Sequence, residues 1–146
     1  MKEVYISSSP EQTEGIGAEF ASSLKGDEFI AMYGDLGAGK TAFVRGMASY
    51  ICPLCRVSSP SYTLINEYVG GKFPLYHFDV YRITDDDALY STGFYDYPGS
   101  GVCVCEWSEN IPYAIPQGAI RIRIEHLGEN ERRITVIRDQ NEDFSD

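Results

Sequence analysis

Residues 34–41 read GDLGAGKT, which matches the whole of the phosphate-binding pattern G-x-x-x-x-G-K-[ST]. The glycines let successive backbone N–H groups curve around phosphate oxygens, Lys40 offers an ammonium group, and Thr41 offers a hydroxyl for Mg²⁺. A mostly apolar run at 28–33 precedes this stretch, and residues 41–50 follow it with apolar side chains at helical spacing. The sequence therefore predicts a strand, a phosphate-binding loop and a helix, with a nucleoside triphosphate as ligand.

The composition is that of an ordinary globular protein. The chain has 146 residues, 43% of them hydrophobic and 23% charged, which fits one domain over 1–146. No apolar run is long enough to cross a membrane and no signal-peptide pattern begins the sequence, so we expect a cytoplasmic protein. The net charge of −10 argues against direct binding of nucleic acid, because phosphates attract a basic surface. The acidic segment 139–146 predicts a frayed tail.

Two helix starts are visible outside the phosphate-binding loop. Ser9, followed by Pro10 and Gln12, predicts a helix that Gly26 ends. Thr84 is predicted to cap a short helix whose first turn carries the aspartates 85–87. These aspartates are interpreted as favourable charges at a helix start rather than as a metal site.

Alternating and apolar runs predict the strands. A hairpin is expected between 64–69 and 73–80, a buried strand at 101–105, and a second hairpin between 120–124 and 133–137. The expected fold is α/β, a P-loop NTPase-like sandwich in which helices and antiparallel hairpins flank a central mixed sheet.

The four cysteines come in two close pairs. Cys103 and Cys105 alternate with valines, so they share one face of the buried strand. Cys52 and Cys55 form a C-x-x-C pair, but no thioredoxin-like pattern surrounds them, and a C-x-C spacing is unusual for zinc. We interpret all four as reduced core residues, with zinc and redox roles as the alternatives.

Two carboxylates end apolar strands and are candidates to orient Mg²⁺ and a water molecule. Asp79 follows the run 73–78 and Glu106 follows 102–105, at the strand ends where the crevice of an α/β sheet opens. The alternative for each is a capping or salt-bridged carboxylate. His77, on the same strand face as Asp79, is interpreted as a structural histidine, and Trp107 as either a neighbour of the site or a core residue.

Residues 58–63 read SSPSYT and lie between the phosphate-loop helix and the first hairpin. In nucleotide hydrolases a switch loop that senses the γ-phosphate lies at this place in the chain. A plain turn rich in serine and proline explains the same residues equally well.

Four blocks together resemble the bacterial TsaE (YjeE) family: GDLGAGKT at 34–41, SPSYTL at 59–64, HFDVYR at 77–82 and EWSE at 106–109. The similarity extends over about residues 10–125. Members of that family are small P-loop ATPases required for the threonylcarbamoyl modification of adenosine 37 in tRNAs that read ANN codons. The resemblance implies slow ATP hydrolysis by the isolated chain and a reaction that resets a larger complex.

The resemblance also assigns roles to residues. Thr41 and Glu106 would hold Mg²⁺, and Asp79 would act with Glu106 in catalysis as a Walker B-like carboxylate. The nucleotide would contact the following residues: Asp35, Leu36, Gly37, Ala38, Gly39, Lys40, Thr41 and Trp107. The switch loop would comprise Ser59, Ser61, Tyr62 and Thr63. Ser61 stands where the family usually has threonine, which keeps the hydroxyl and removes a methyl group.

The implied cofactors are ATP and Mg²⁺, and the implied partners are homologues of TsaD and TsaB, with tRNA reached only through that complex. A small-molecule kinase is one alternative, but it needs an arginine-rich lid, and no arginine lies between Arg82 and Arg121. A binding module in which nucleotide only sets the shape is the other. The sequence shows no guanine-reading N/TKxD block, which favours adenine.

Overall fold

The computed structural model describes residues 2–34, 39–60 and 64–145. Within these ranges the chain forms three α-helices and seven strands. The helices are α1 (Pro10–Ala21), α2 (Lys40–Ile51) and α3 (Asp86–Ser91). The strands are β1 (Lys2–Ser7), β2 (Phe29–Tyr33), β3 (Ile65–Tyr68), β4 (Leu75–Asp79), β5 (Val102–Glu106), β6 (Ile120–His126) and β7 (Arg132–Ile137).

One mixed sheet contains all seven strands in the order β1-β7-β6-β2-β5-β4-β3. Strands β6, β2, β5 and β4 run parallel at the centre, while β3, β7 and β1 pair antiparallel with their neighbours. The two predicted hairpins are therefore confirmed as β3–β4 and β6–β7, and the α/β sandwich is confirmed with them. The phosphate-loop strand β2 lies between β6 and β5.

The sheet separates two apolar cores because successive side chains of a strand point to opposite faces. Ile30 and Met32 of β2 pack in one core with the buried sides of α1 and α2. Phe29 and Ala31 pack in the other core, beneath α3 and the 3₁₀ turn at Phe94–Asp96. Both faces of the central strands are thus buried, as parallel strands require.

The structure confirms one predicted helix cap and corrects another. The Ser9 hydroxyl accepts a hydrogen bond from the Gln12 N–H at 3.1 Å and begins α1. The cap of α3 is Asp85 rather than Thr84, because its carboxylate accepts from the Ala88 N–H at 2.8 Å and favours the positive end of the helix.

Helix α1 ends at Ala21 rather than at Gly26. The hydroxyls of Ser22 and Ser23 donate to the carbonyls of Glu19 and Phe20, at 2.6 and 2.7 Å, and satisfy the last turn before Gly26 is reached. Leu24 is buried in the core from beyond the end of the helix.

The prediction of four reduced cysteines is wrong for one pair. Cys52 and Cys55 form a disulfide at the end of α2, where the Cys55 N–H donates to the Cys52 carbonyl and folds the chain back. Cys103 and Cys105 are free and buried on one face of β5, as predicted. Burial raises the pKa of Cys103 to about 12, so its thiol stays protonated and inert.

Segment 139–145 lies against the sheet, unlike the frayed tail that its composition predicts. The Arg121 guanidinium donates to the carbonyl oxygens of Asp139, at 3.1 Å, and of Glu142. Arg123 donates to the carbonyl oxygen of Phe144 at 3.2 Å. Two arginines of β6 therefore hold the main chain of the acidic segment. Among the described residues, no helix is both long and apolar enough to span a membrane.

Candidate functional site

The predicted phosphate-binding residues lie where β2 ends and α2 begins. Gly39 precedes α2 in a left-handed conformation (φ 104°), and among the described residues no side chain caps the first turn of the helix. Backbone N–H groups at such a helix start can bind an anion, as helix N-termini commonly do. Of the predicted nucleotide contacts, Asp35, Leu36, Gly37 and Ala38 lie outside the described residues, while Gly39, Lys40 and Thr41 lie at this helix start.

Lys40 is buried, with 4% of its surface exposed, and its ammonium group bridges two parts of the site. Its Nζ donates to the Gly34 carbonyl oxygen at 2.5 Å and lies 3.7 Å from the ring centre of Trp107. The aromatic face and the carbonyl stabilise the charge of a lysine that is otherwise costly to bury. The ammonium group is thus held next to Gly34, where it could exchange the carbonyl oxygen for the oxygens of a bound phosphate.

Trp107 adopts a left-handed backbone conformation (φ 64°), which is rare for a bulky residue. Backbone strain of this kind persists only where the surrounding structure fixes it, and it is concentrated at functional sites. The Tyr81 ring packs against the indole with the ring centres 4.8 Å apart. The Trp107 ring contacts Lys40, so the structure favours the interpretation of Trp107 as a neighbour of the candidate site over that of a core residue.

Glu106 ends β5 with its carboxylate directed at the start of α2. The Thr41 hydroxyl lies 3.4 Å from Glu106 Oε2, and His77 Nε2 lies 2.5 Å from the same oxygen. Glu106 and His77 are both buried, at 4% and 0% exposure, so each relieves the cost of burying the other. His77 is a positioning residue for Glu106, in line with its interpretation as structural.

Asp79 lies opposite Glu106 in the parallel pair of β4 and β5. One of its carboxylate oxygens accepts a hydrogen bond from the Tyr81 N–H at 2.9 Å, and its own N–H donates to the Leu64 carbonyl at 3.0 Å. Burial raises the pKa of Asp79, and the charge of Glu106 adds to the effect. Two carboxylates therefore end neighbouring strands near the start of α2, at the strand ends where the sequence places them.

The oxygen donors of Thr41 and Glu106 fit Mg²⁺ only in company with other ligands. Within the described ranges, no group of three or more His, Cys, Asp or Glu side chains could hold a metal ion by itself. Mg²⁺ is usually bound by one or two carboxylates together with substrate phosphates and water, and the paired Thr41 hydroxyl and Glu106 carboxylate match this pattern. The residues fit a metal that arrives with a nucleotide.

Two features of the site were missed by the sequence interpretation of individual residues. Glu109 accepts a hydrogen bond from the Gly34 N–H at 3.3 Å and so contacts the first residue of the loop. It belongs to the block EWSE, and that block was the available signal.

The second feature is a cavity of about 210 Å³ beside the helix start, on the side away from Asp79 and Glu106. Its lining comes from the start of α1, the start of α2 and the β6–β7 turn, and comprises Ser9, Pro10, Thr13, Gly39, Ala42, Asn130 and Arg132. The Arg132 Nε lies 4.0 Å from the position that a Cβ on Gly39 would take. Nothing in the sequence marks this cavity, because three distant segments form it.

The predicted switch loop is described only in part. Ser61, Tyr62 and Thr63 lie outside the described residues, and Ser59 is exposed. At the far end of the segment Leu64 has a left-handed conformation (φ 68°), and its N–H donates to the Pro60 carbonyl at 2.8 Å.

Comparison with known proteins points to one family. Residues 7–134 match the family model described as threonylcarbamoyl adenosine biosynthesis protein TsaE. A Bacillus subtilis protein named tRNA threonylcarbamoyladenosine biosynthesis protein TsaE is 40% identical over 126 residues, which are 86% of this chain and 79% of that protein. Proteins of the same name are 39% identical in Haemophilus influenzae (85% of this chain, 80% of that one) and 33% identical in Rickettsia conorii (92% and 77%).

A solved structure supports the same relationship. The crystal structure of YdiB from Bacillus subtilis superposes with a TM-score of 0.76 at 35% identity, covering 93% of this chain and 84% of that one.

Proposed function

Because the chain belongs to the TsaE family, we propose that it is a Mg²⁺-dependent ATPase that acts in the threonylcarbamoyladenosine modification of tRNA. The observation that carries the proposal is the meeting of Lys40 and Thr41, at the open start of α2, with the carboxylates that end β4 and β5. A phosphate cradle, a lysine, a metal-ligating hydroxyl and two carboxylates are the parts that ATP hydrolysis needs.

Each residue has a defined task in this proposal. Lys40 moves from the Gly34 carbonyl to the β- and γ-phosphates and stabilises their charge. Thr41 and Glu106 would hold Mg²⁺, which when bound neutralises phosphate charge, and His77 keeps the Glu106 carboxylate in place. Asp79 orients the attacking water from the neighbouring strand.

The nucleoside belongs in the cavity of about 210 Å³ beside Gly39 and Ala42. The γ-phosphate must face Asp79 and Glu106, so the ribose and base extend to the opposite side of the loop, where this cavity opens. Arg132 and Asn130 supply hydrogen-bond donors to ribose or base there.

We propose that hydrolysis depends on homologues of TsaD and TsaB. The net charge of −10 disfavours direct contact with tRNA, so a partner protein would bind the tRNA. The guanidinium next to Gly39, that of Arg132, lines the nucleoside cavity rather than the carboxylate side, where an arginine finger would act. A group supplied by the complex would complete the site.

The test is to measure ATP affinity and steady-state hydrolysis of the purified chain, with and without the cognate TsaD–TsaB pair. We expect Lys40→Ala to weaken ATP binding about 10- to 100-fold, since hydrogen bonds to charged groups contribute roughly 1.5–3 kcal/mol. Lys72→Ala, which removes an exposed lysine stacked on Tyr50, is the matched control. Rapid hydrolysis that the pair does not change would contradict the proposal.

Asp79→Asn separates the ATPase from a nucleotide-dependent binding module. The variant keeps the oxygen that accepts from the Tyr81 N–H, so we expect ATP affinity to stay within about twofold. Hydrolysis in the presence of the pair should fall about a hundredfold or more, because the water loses its orienting carboxylate. Full tRNA modification by a variant without hydrolysis would show that turnover is dispensable.

A further inference from the structure

A second cavity, of about 450 Å³, lies between the β3–β4 hairpin and α3. Its volume is within the range of about 300–1,000 Å³ that ligand pockets span. The lining is mainly apolar and comprises Leu64, Ile65, Phe78, Ile83, Ala88, Ser91 and Thr92. None of these residues belongs to the phosphate site, and we call this space the hairpin cavity.

The hairpin cavity contacts the main chain that holds Asp79. The Leu64 carbonyl accepts the Asp79 N–H at 3.0 Å, and Phe78 directly precedes Asp79 in β4. Leu64 has the rare left-handed conformation (φ 68°), so a small change in its packing acts on a strained residue. A group that enters the cavity therefore presses on the two residues that position a carboxylate of the site.

The rim of the hairpin cavity is acidic. Asp87 lies one helical turn before Ser91, on the same face of α3, and its carboxylate has no hydrogen-bond or ion-pair partner in the part of the chain that the structure describes. Asp85 and Asp86 are exposed in the same turn, where Asp85 caps the helix and Asp86 accepts from the Tyr95 hydroxyl. Segment 82–87 carries three exposed aspartates and one exposed arginine, Arg82, so negative charge predominates there.

A protein segment fits the hairpin cavity better than a metabolite does. The lining offers hydroxyls from Ser91 and Thr92 but no charged group to orient a small polar molecule. Strand β3, which contributes Ile65, is the last strand of the sheet, and no other strand of the described residues pairs with its outer edge. An edge of this kind accepts an extended peptide.

We propose that the hairpin cavity docks an apolar side chain of a partner protein, carried on a segment with neighbouring lysine or arginine, and that this contact repositions Asp79. The inference rests on the proposed ATPase function and supplies a route by which a partner controls it. Asp87 attracts the basic flank, the apolar side chain fills the space beside Leu64 and Phe78, and the Leu64–Asp79 hydrogen bond carries the change to the carboxylate.

The first experiment fills the cavity in the full chain. Ala88→Trp places an indole in it, while Ala18→Trp makes the same change on the half-buried surface of α1, away from the cavity. ATP affinity and affinity for the TsaD–TsaB pair are measured by calorimetry, and hydrolysis with and without the pair. We expect Ala88→Trp to keep its ATP affinity but to lose affinity for the pair by about tenfold or more, together with the stimulated hydrolysis.

The second variant tests the rim without changing the packing. Asp87→Lys on the exposed surface should weaken binding to the pair, with a smaller loss at high salt, and Asp27→Lys is the control on a distant exposed aspartate. If the wild-type chain neither binds the pair nor responds to it, the proposed function fails, and the docking site fails with it. If the TsaD–TsaB pair binds and stimulates the wild type, and binds and stimulates Ala88→Trp and Asp87→Lys to the same extent, only the docking site is overturned. The docking site is also overturned if Ala88→Trp loses ATP affinity while Asp87→Lys binds the pair as tightly as the wild type does.

Discussion

Asp79 and Glu106 occupy equivalent positions on neighbouring strands but are stabilised differently. The Glu106 carboxylate contacts the Thr41 hydroxyl and His77 Nε2, whereas among the described residues only the Tyr81 backbone N–H donates to the Asp79 carboxylate. Burial therefore raises the pKa of Asp79. A buried carboxylate with so little compensation is typical of a functional site, which agrees with the role proposed for Asp79.

The raised pKa predicts how stability depends on pH. A carboxyl group whose pKa is higher in the folded state stabilises the fold below its unfolded value, here near 3.8, and this contribution is lost as the pH rises through the folded value. Asp79→Asn removes the loss. We expect the free energy of unfolding of the variant to increase relative to wild type as the pH rises from about 4 to 7.

Urea denaturation at a series of pH values measures this difference. Asp27→Asn, which removes an exposed carboxylate, gives the baseline for the loss of one charge. Parallel curves for Asp79→Asn and wild type would mean that Asp79 is as well solvated in the folded protein as in the unfolded chain.

Glu106 carries a prediction about the metal. Glu106→Gln keeps an oxygen for His77 Nε2 but removes the negative charge beside Thr41. We expect Mg²⁺ to increase the ATP affinity of the wild type. In the variant this increase should be about tenfold smaller, a loss of the size that substitutions at metal sites commonly cause. Calorimetry with and without Mg²⁺ checks this, and an unchanged Mg²⁺ effect would exclude Glu106 as a ligand.

At the scale of elements, features encoded by adjacent residues could be predicted from the sequence. The Ser9 cap, the strand before Gly34 and the helix that begins at Lys40 depend on local spacing, and the structure contains them. The sequence prediction placed the end of α1 too late. The Ser22 and Ser23 hydroxyls bond the last carbonyls of the helix before the chain reaches Gly26, and the position of a glycine does not reveal this.

The packing of α1 on α2 depends on two glycines, and neither was identified from the sequence. A Cβ on Gly46 would lie 1.9 Å from the Glu14 carbonyl oxygen, and one on Gly17 would lie 2.3 Å from that of Phe43. The two backbones therefore approach each other more closely than side chains permit. This contact fixes the direction of α2, whose first residue is Lys40.

We expect Gly46→Ala to lower the free energy of unfolding by about 1–3 kcal/mol, because the helices must separate. Gly15→Ala on the same helix pair is the control, since nothing lies within 4 Å of its Cβ position. That change should raise stability by about 0.5–1 kcal/mol through helix propensity. Chemical denaturation compares them, and equal stabilisation by both would show that α1 and α2 are not in close contact.

At the scale of the whole molecule, the order of the strands decides what meets at the site. The rule that crevices open at the ends of parallel strands predicted that Asp79 and Glu106 lie side by side, and they do, because β5 and β4 follow β2 in the sheet. The same reasoning could not find Arg132, which reaches Gly39 only because β6 and β7 lie on the other side of β2. Strand order depends on contacts between distant segments, which no local pattern records.

Segment 139–145 shows the same limit, because its acidic composition predicts a frayed tail and takes no account of the arginines of β6. The Phe144 ring packs edge-on against Tyr33, with ring centres 5.6 Å apart, and the Arg123 guanidinium lies 4.9 Å from its centre. Tyr33 directly precedes Gly34, so this contact joins the segment to the strand that leads into the phosphate loop.

We therefore expect Phe144→Ala to lower the free energy of unfolding by about 1–2 kcal/mol, through loss of one aromatic pair and two cation–π contacts, with Arg121 and Arg123. Gln140→Ala, at an exposed position of the same segment, should have no measurable effect. Urea denaturation gives the stabilities, and hydrogen exchange at Tyr33 and Gly34 shows whether loosening of the segment reaches the start of the loop. If Phe144→Ala changed neither the stability nor the hydrogen exchange, the segment would be detached from the sheet in solution, as its composition alone predicts. Arg121 and Arg123 of β6 would then be available to other carbonyl or anionic groups.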